Sequence, residues 1–279
     1  MLLQSLWRWS VNELIPTSTT PHLDAELLLA AALGLTRAQL YSQSPSTVLS
    51  ITQQQSVESS INRRKTGEPI AYLLAQQEFW SLLLDVNPAV LVPRPETELL
   101  VQLLLQNNTN NERKIADLGT GSGAIALALA SERPSWQIVA TDYSHDALQV
   151  AEKNRSRYDL KNVELRQGDW CGAFLKGEYF DMIVSNPPYL VNNDPHFQTE
   201  LGLAFEPKMA LFAGENGLCH IETIIRTSRH HLLMGGTLFL EHGYEQAALV
   251  SRLFLEWGYH TLQHHKDLAG QQRVMSGKW

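Results

Sequence analysis

From residue 114 onward, short apolar runs alternate with segments of helical period, and this alternation limits the fold more than any other feature. "KIADLG", "QIVATD", "NVELRQGD", "DMIVS", "GGTLFLEHG", "HTLQHHKDL" and "QRVMSGKW" read as seven strands. "SGAIALALASE", "SHDALQVAEKNRSR", "NGLCHIETIIRTSRHHLLM" and "EQAALVSRLFLEWG" read as the helices among them. Repeated strand–helix units imply a mostly parallel sheet covered by helices on both faces. The last two strands follow one another without a helix, so one of them runs antiparallel.

The first 75 residues have a different texture. Segments 2–15, 22–33 and 47–65 carry apolar residues at helical spacing, separated by "PTSTTP", "GLT" and "SQSPS". "EFWSLLLDVNPAVLVPR" (78–94) reads as two strands around a turn at Asn87-Pro88. "PETELLVQLLLQ" (95–106) begins a helix, with Pro95 near its start and acids in its first turn. The expected division is a helical domain over 1–75, a hairpin linker over 76–94 and an α/β domain over 95–279.

The net charge of −7 argues against nonspecific duplex binding, which needs cations to replace counterions. The one basic cluster, "NRRK" at 62–65, reads as a solvated helix end. Two cysteines, Cys171 and Cys219, are too few for a disulfide framework or a Cys-rich zinc site. The N-terminus lacks a signal-peptide pattern and the longest apolar run, 27–35, is too short to span a bilayer. These features predict a cytoplasmic protein without direct nucleic-acid or membrane contacts. The paired histidines at 230–231 and 264–265 lack the i, i+4 spacing of a helical zinc site, and no metal is expected.

Two motifs carry chemistry. "ADLGTGSGA" (116–124) joins the first strand of the sheet to a helix, and Gly119, Gly121 and Gly123 permit a tight turn and close approach of a ligand. Asp142 ends the next strand, where an acid can hold ribose hydroxyls. Gly119-x-Gly121-x-x-Ala124 also satisfies a dinucleotide fingerprint. Asp117 favours a different ligand: a carboxylate there repels a pyrophosphate but suits S-adenosyl-L-methionine, with its ammonium and sulfonium.

The second motif is "NPPY" (186–189), at the end of the fourth strand and hence beside the first. Its chemistry suits a planar –NH₂. The Asn186 side-chain oxygen offers one acceptor. The Pro187 carbonyl offers another, because Pro188 has no N–H and the segment cannot continue as a helix. Together they stabilise positive charge growing on a nitrogen, an oxyanion hole with the sign reversed. Tyr189 supplies a flat face.

"DLGTGSGAIALALA", Asp142 and "SNPPY", with "GEPIAYLLAQQEFW" and "LVPRPETE" before them, resemble the bacterial release factor glutamine methyltransferases over nearly the whole chain. "NPPY" alone is shared with nucleic-acid amino-methyltransferases; "EPIAYLL…EFW" with "PRPETE" is more specific. The resemblance implies a class I S-adenosylmethionine-dependent methyltransferase fold, Rossmann-like with a seven-stranded, mostly parallel sheet. It implies methylation of the glutamine amide in the Gly-Gly-Gln loop of peptide chain release factors, its protein partners. Gly119, Thr120, Gly121, Ser122, Gly123, Asp142, Trp170 and Asn186 would bind the donor. Asn186, Pro187, Pro188 and Tyr189 would hold the substrate amide, with Asn186, Pro187 and Tyr189 catalytic. Arg94 and Glu98 match the family pattern without an assignable role, and Ala75 stands where related sequences often have glycine. "FEP" (205–207) lies in a long loop that either covers the substrate or merely connects. The alternatives are a nucleic-acid amino-methyltransferase, which calls for a basic groove or an inserted recognition domain, and a non-catalytic binding module, which calls for a disrupted motif.

Overall fold

A computed structural model describes residues 1–106, 112–192, 194, 197 and 201–279. The chain divides into two compact units, one of Met1–Gln76 with the 3-10 turn Leu201–Phe205, the other of Gln77–Asp194 with Glu206–Trp279.

The first unit is helical: α1 (Leu3–Leu14), α2 (Pro21–Leu33), α3 (Arg37–Tyr41), α4 (Ile51–Lys65) and α5 (Ile70–Leu74). Its core is a cluster that includes Leu6, Leu14, Leu29, Leu40, Val57 and Ile61. Hydroxyl caps start two helices: Thr36 accepts from the Gln39 N–H and Ser50 from the Gln53 N–H, each in a reciprocal box. The Ser50 cap delays α4 to residue 51 where the apolar spacing predicts 47. The basic cluster forms the last turn of α4, with Asn62 and Arg63 exposed and its cations paired. Arg63 pairs with Glu68, Arg64 with the buried Asp24 at 2.7 Å, and Lys65 with Glu13. Arg64 is the most covered of the three; Arg63 and Lys65 stay partly exposed while paired.

The second unit begins with a hairpin, β1 (Gln76–Phe79) and β2 (Leu82–Asp85). It turns at Trp80-Ser81, not at the expected Asn87-Pro88. Both turn residues have positive φ, 49° and 62°, as a two-residue turn of the right twist requires. Neither is glycine or asparagine, which is why the turn escapes a propensity reading. Tertiary bonds hold it: Glu98 Oε1 accepts from the Trp80 N–H at 2.9 Å and Glu132 from the indole N–H at 3.0 Å. The hairpin packs into the main core through Phe79, Leu82 and Leu84. Asn154, fully buried, accepts from the Asp85 N–H and donates to the Asp85 and Ser122 carbonyls, tying the hairpin to the glycine loop.

Then follow α6 (Glu98–Gln106), β3 (Lys114–Leu118), α7 (Ala124–Glu132), β4 (Gln137–Asp142), α8 (His145–Arg157), β5 (Val163–Gln167), β6 (Phe180–Ser185), α9 (Cys219–Ser228), β7 (Leu232–Glu241), α10 (Ala247–Glu256), β8 (His260–Lys266) and β9 (Gln272–Lys278). Seven strands form one sheet in the order β5-β4-β3-β6-β7-β9-β8. Only β9 runs antiparallel to its neighbours. Alternate residues along the strands enter different cores: Ile115, Met182 and Val184 face α6, α7 and the hairpin, while Ala116, Leu118 and Ile183 face α9 and α10. The order reverses between β3 and β6, whose register pairs Leu118 with Ser185. Loops from both strand ends therefore open onto one crevice. Among the described residues no helix is long and apolar enough to cross a membrane.

Ala75 closes α5 in the left-handed region, at φ 56°. A Cβ there costs roughly 1–2 kcal/mol, and Ala75 is exposed, so no packing offsets it. Ala75→Gly should stabilise the protein by about 1 kcal/mol once glycine's extra chain entropy is deducted, read as a rise in the urea midpoint without a change in slope.

Candidate active site at the switch point

The crevice holds a cavity of about 360 Å³, lined by Gly119, Gly121, Asp142, Trp170, Asn186 and Pro188, among others. Thr120 and Ser122 also line it; Gly123, Pro187 and Tyr189 adjoin lining residues in the chain without being among them.

The glycine loop is held from below. Asp117, fully buried, accepts from the Thr120 hydroxyl at 2.6 Å and the Ala126 N–H at 3.2 Å. Gly119, Gly121 and Gly123 all have positive φ. At Gly119 a side chain would press on Trp170, whose ring carbon would sit 3.1 Å from the added Cβ. Trp170 itself has φ 46°, a strained conformation of the kind found at functional sites. Its ring meets His220 at 5.4 Å between centroids. Burial keeps His220 below the usual imidazole range, so it presents a neutral ring.

Asp142 accepts from the Gly121 N–H at 2.9 Å and the Ser144 N–H at 2.8 Å. Each carboxylate oxygen retains a lone pair for a hydroxyl. Burial raises its pKa above the ordinary carboxylate value despite these bonds. Burial also raises Asp117 to about 7, with the charge of Asp142 adding to the effect, and its Oδ1 is buried without a hydrogen-bond partner among the described residues.

The corner after β6 is braced on all sides. The Ser185 hydroxyl donates to the Leu118 carbonyl at 2.7 Å, joining the two strand ends. Leu190 pairs with the Leu211–Ala213 strip through two backbone bonds of 2.9 Å. Gln246 Nε2 donates to the Tyr189 and Gly217 carbonyls. Gly217, in the "GENG" turn, must be glycine: a Cβ there would lie 2.5 Å from the Tyr189 carbonyl oxygen. Asn186 Nδ2 donates to the Thr97 hydroxyl at 3.0 Å, and that hydroxyl donates to Glu241 at 2.8 Å. The Tyr189 hydroxyl reaches the other Glu241 oxygen at 3.5 Å. Burial raises Glu241 to about 7 and lifts Tyr189 above the usual phenol range.

Two sequence family models match the chain: a methyltransferase small domain over residues 95–211 and a PrmC N-terminal domain over 5–74. The chain is 48% identical to the release factor glutamine methyltransferase of Coxiella burnetii, covering 95% of this chain and 94% of the relative. It is 42% identical to that of Escherichia coli K12, covering 98% of each. The chain belongs to the release factor glutamine methyltransferase family. As a member it is a methyltransferase that uses S-adenosyl-L-methionine. Solved structures share its fold at low identity. A methyltransferase from Pyrococcus furiosus aligns with TM-score 0.53 at 18% identity, over 78% of this chain and 98% of that one. A Thermus thermophilus 16S rRNA N2 G1207 methyltransferase aligns with TM-score 0.55 at 20%, over 73% and 49%.

The crevice suits this methyl donor. Asp142 lines it, the buried Asp117 lies beneath its glycine loop, and the one guanidinium in its lining among the described residues, Arg94, is paired with the buried Glu206. Such a site favours an ammonium and a sulfonium over a phosphate. Gly119 leaves Trp170 free to lie along the loop, and Asp142 can accept from ribose hydroxyls.

Several residues here escape the sequence reading. Glu206 sits in the "FEP" segment, accepts from the Val92 N–H at 3.0 Å and pairs with Arg94, giving that arginine a role. Pro207, Met209 and Phe212 continue the segment as a cavity wall. Thr97 and Glu241 belong to stretches that read only as a helix start and a strand end.

A cationic ligand drives Asp117 toward its carboxylate form. Below pH about 7 the free protein carries a proton there, so donor binding expels it. Donor affinity should fall as pH drops below about 7 and level off above it. Calorimetry in buffers of different ionisation enthalpy should show proton release at pH 6, and Asp117→Asn should abolish it.

Proposed function

We propose that this chain methylates the side-chain amide nitrogen of the glutamine in the Gly-Gly-Gln loop of peptide chain release factors, as the names of its near relatives imply. The observation that carries the reading is the pair of acceptors at Asn186 and Pro187. The Asn186 oxygen is left free by a carboxamide whose nitrogen is already committed to Thr97. The Pro187 carbonyl enters no hydrogen bond among the described residues, and the following proline cannot supply one locally.

An amide nitrogen is a poor nucleophile because its lone pair is delocalised. Breaking that conjugation outright costs about 18–20 kcal/mol. S-adenosyl-L-methionine supplies a methyl group on a sulfonium that leaves as a neutral thioether. The chain's own contribution is to hold the substrate –NH₂ by both hydrogens, one on Asn186 and one on Pro187. Those bonds strengthen as the nitrogen becomes positive and so stabilise the transition state more than the ground state. The nitrogen then loses one proton to water or a carbonyl, which needs no strong base. Pro188 lines the space for the planar group and Tyr189 backs it. The helical unit, with its own core, serves to dock the release factor.

Methyl transfer from labelled donor to purified release factor, compared with DNA and RNA, tests the reading. Label should enter the release factor alone; label in nucleic acid alone overturns it. Asn186→Ala should lower kcat by on the order of 10²–10³, as removal of one charge-stabilising hydrogen bond does, with donor affinity nearly kept. Near-normal turnover would refute the acceptor role. Removing residues 1–75 should raise KM for intact release factor well above its effect on donor binding.

A further inference from the structure

We infer that Thr97 and Glu241 are positioning residues whose hydrogen-bond chain fixes which end of the Asn186 carboxamide faces the substrate. The inference rests on the acceptor role proposed for Asn186. A carboxamide is nearly symmetric in shape, and turning it over exchanges an acceptor for a donor. Turned over, Asn186 would present –NH₂ to a substrate –NH₂ and the site would repel what it must hold. Something must therefore set the polarity, and neither the corner's shape nor its prolines can.

The chain from Glu241 does so. An ionised carboxylate only accepts, so the Thr97 hydroxyl must donate to it, as it does at 2.8 Å. With its single proton committed, Thr97 can offer Asn186 only lone pairs. Asn186 must then turn its nitrogen toward Thr97, at 3.0 Å, and its oxygen to the cavity. Thr97 and Glu241 are both buried, so the bond between them is sheltered from water. Thr97 lines the cavity together with Asn186, whereas Glu241 is not among the lining residues and stands two hydrogen bonds from Asn186, at the end of β7.

The arrangement carries a titration. Burial raises Glu241 to about 7. Around it stand Arg273 on β9, which favours the carboxylate, Glu96 in the turn before α6, which opposes it, and Tyr189 after β6, which bonds it weakly. Once protonated, Glu241 can donate to Thr97, and Thr97 can then donate to a reversed Asn186. Activity is therefore present above the Glu241 pKa and lost as pH falls through it. This acid limb belongs to kcat, because donor saturation removes the contribution of Asp117.

The test is kcat against pH between 5.5 and 8.5, at saturating donor and release factor, with donor Kd and far-UV circular dichroism measured in parallel. Thr97→Val keeps shape but removes the relay, and should lower kcat on the order of tenfold or more with donor Kd within about twofold. Thr97→Ser keeps the hydroxyl and should recover most of that loss, which general packing damage would not allow. Glu241→Gln keeps volume, cannot titrate, and should erase the acid limb while lowering kcat at pH 8. Thr97→Val with full kcat, or Glu241→Gln with an unchanged acid limb, overturns the inference. Asn186→Ala separates the two readings: if it is inactive while Thr97→Val is fully active, the acceptor role stands and the relay falls.

Discussion

The Ser185 hydroxyl, buried and bonded to the Leu118 carbonyl, joins the ends of β6 and β3 at the one place where the strand order reverses. Parallel pairing has no turn to set its register, so register comes from side-chain burial and such cross-links. A shift of one residue would send Val184 and Ile183 to the wrong cores and carry Asn186 away from the glycine loop. Because the pairing holds Leu118 against Ser185, the glycine loop and the "NPPY" corner leave the sheet side by side. All of the later chemistry depends on that adjacency.

From there the site is built by two opposite uses of burial. At the glycine loop, burial raises the pKa of Asp117 and of Asp142, so that negative charge there is costly without a cation. Around the substrate, burial isolates a chain of neutral and ionised groups whose polarity propagates from Glu241 through Thr97 to Asn186. The prolines fix the direction of a carbonyl by removing a donor. The relay fixes the direction of a carboxamide by removing a choice. The "PRPETE" stretch serves both halves: Arg94 pairs with Glu206 on the cavity wall, Thr97 joins the relay, and Glu98 holds the hairpin turn at Trp80.

The fold was legible because alternation of strand and helix patterns is a local property, and all seven strands of the sheet follow from it. The glycine loop and "NPPY" were legible because glycine and proline change the backbone wherever they occur. Thr97 and Glu241 were not. A threonine at a helix start and a glutamate at a strand end have ordinary local explanations, and they meet only because the start of α6 packs against the end of β7, 144 residues along the chain. The hairpin turn escapes for a related reason: Trp80 is held there by bonds to Glu98 and to Glu132 on α7, both remote in the chain. Likewise the ion pairs of Arg64 and Lys65 are not legible locally, because their partners Asp24 and Glu13 lie on other helices.

The central claim is that the Asn186 oxygen, not its nitrogen, faces the substrate amide. Neutron diffraction from a deuterated complex with a Gly-Gly-Gln peptide and the demethylated donor would observe this directly. The account predicts the two Asn186 deuterons on the Thr97 side, and the two substrate amide deuterons on Asn186 Oδ1 and the Pro187 carbonyl. Deuterons of Asn186 pointing at the substrate would contradict it.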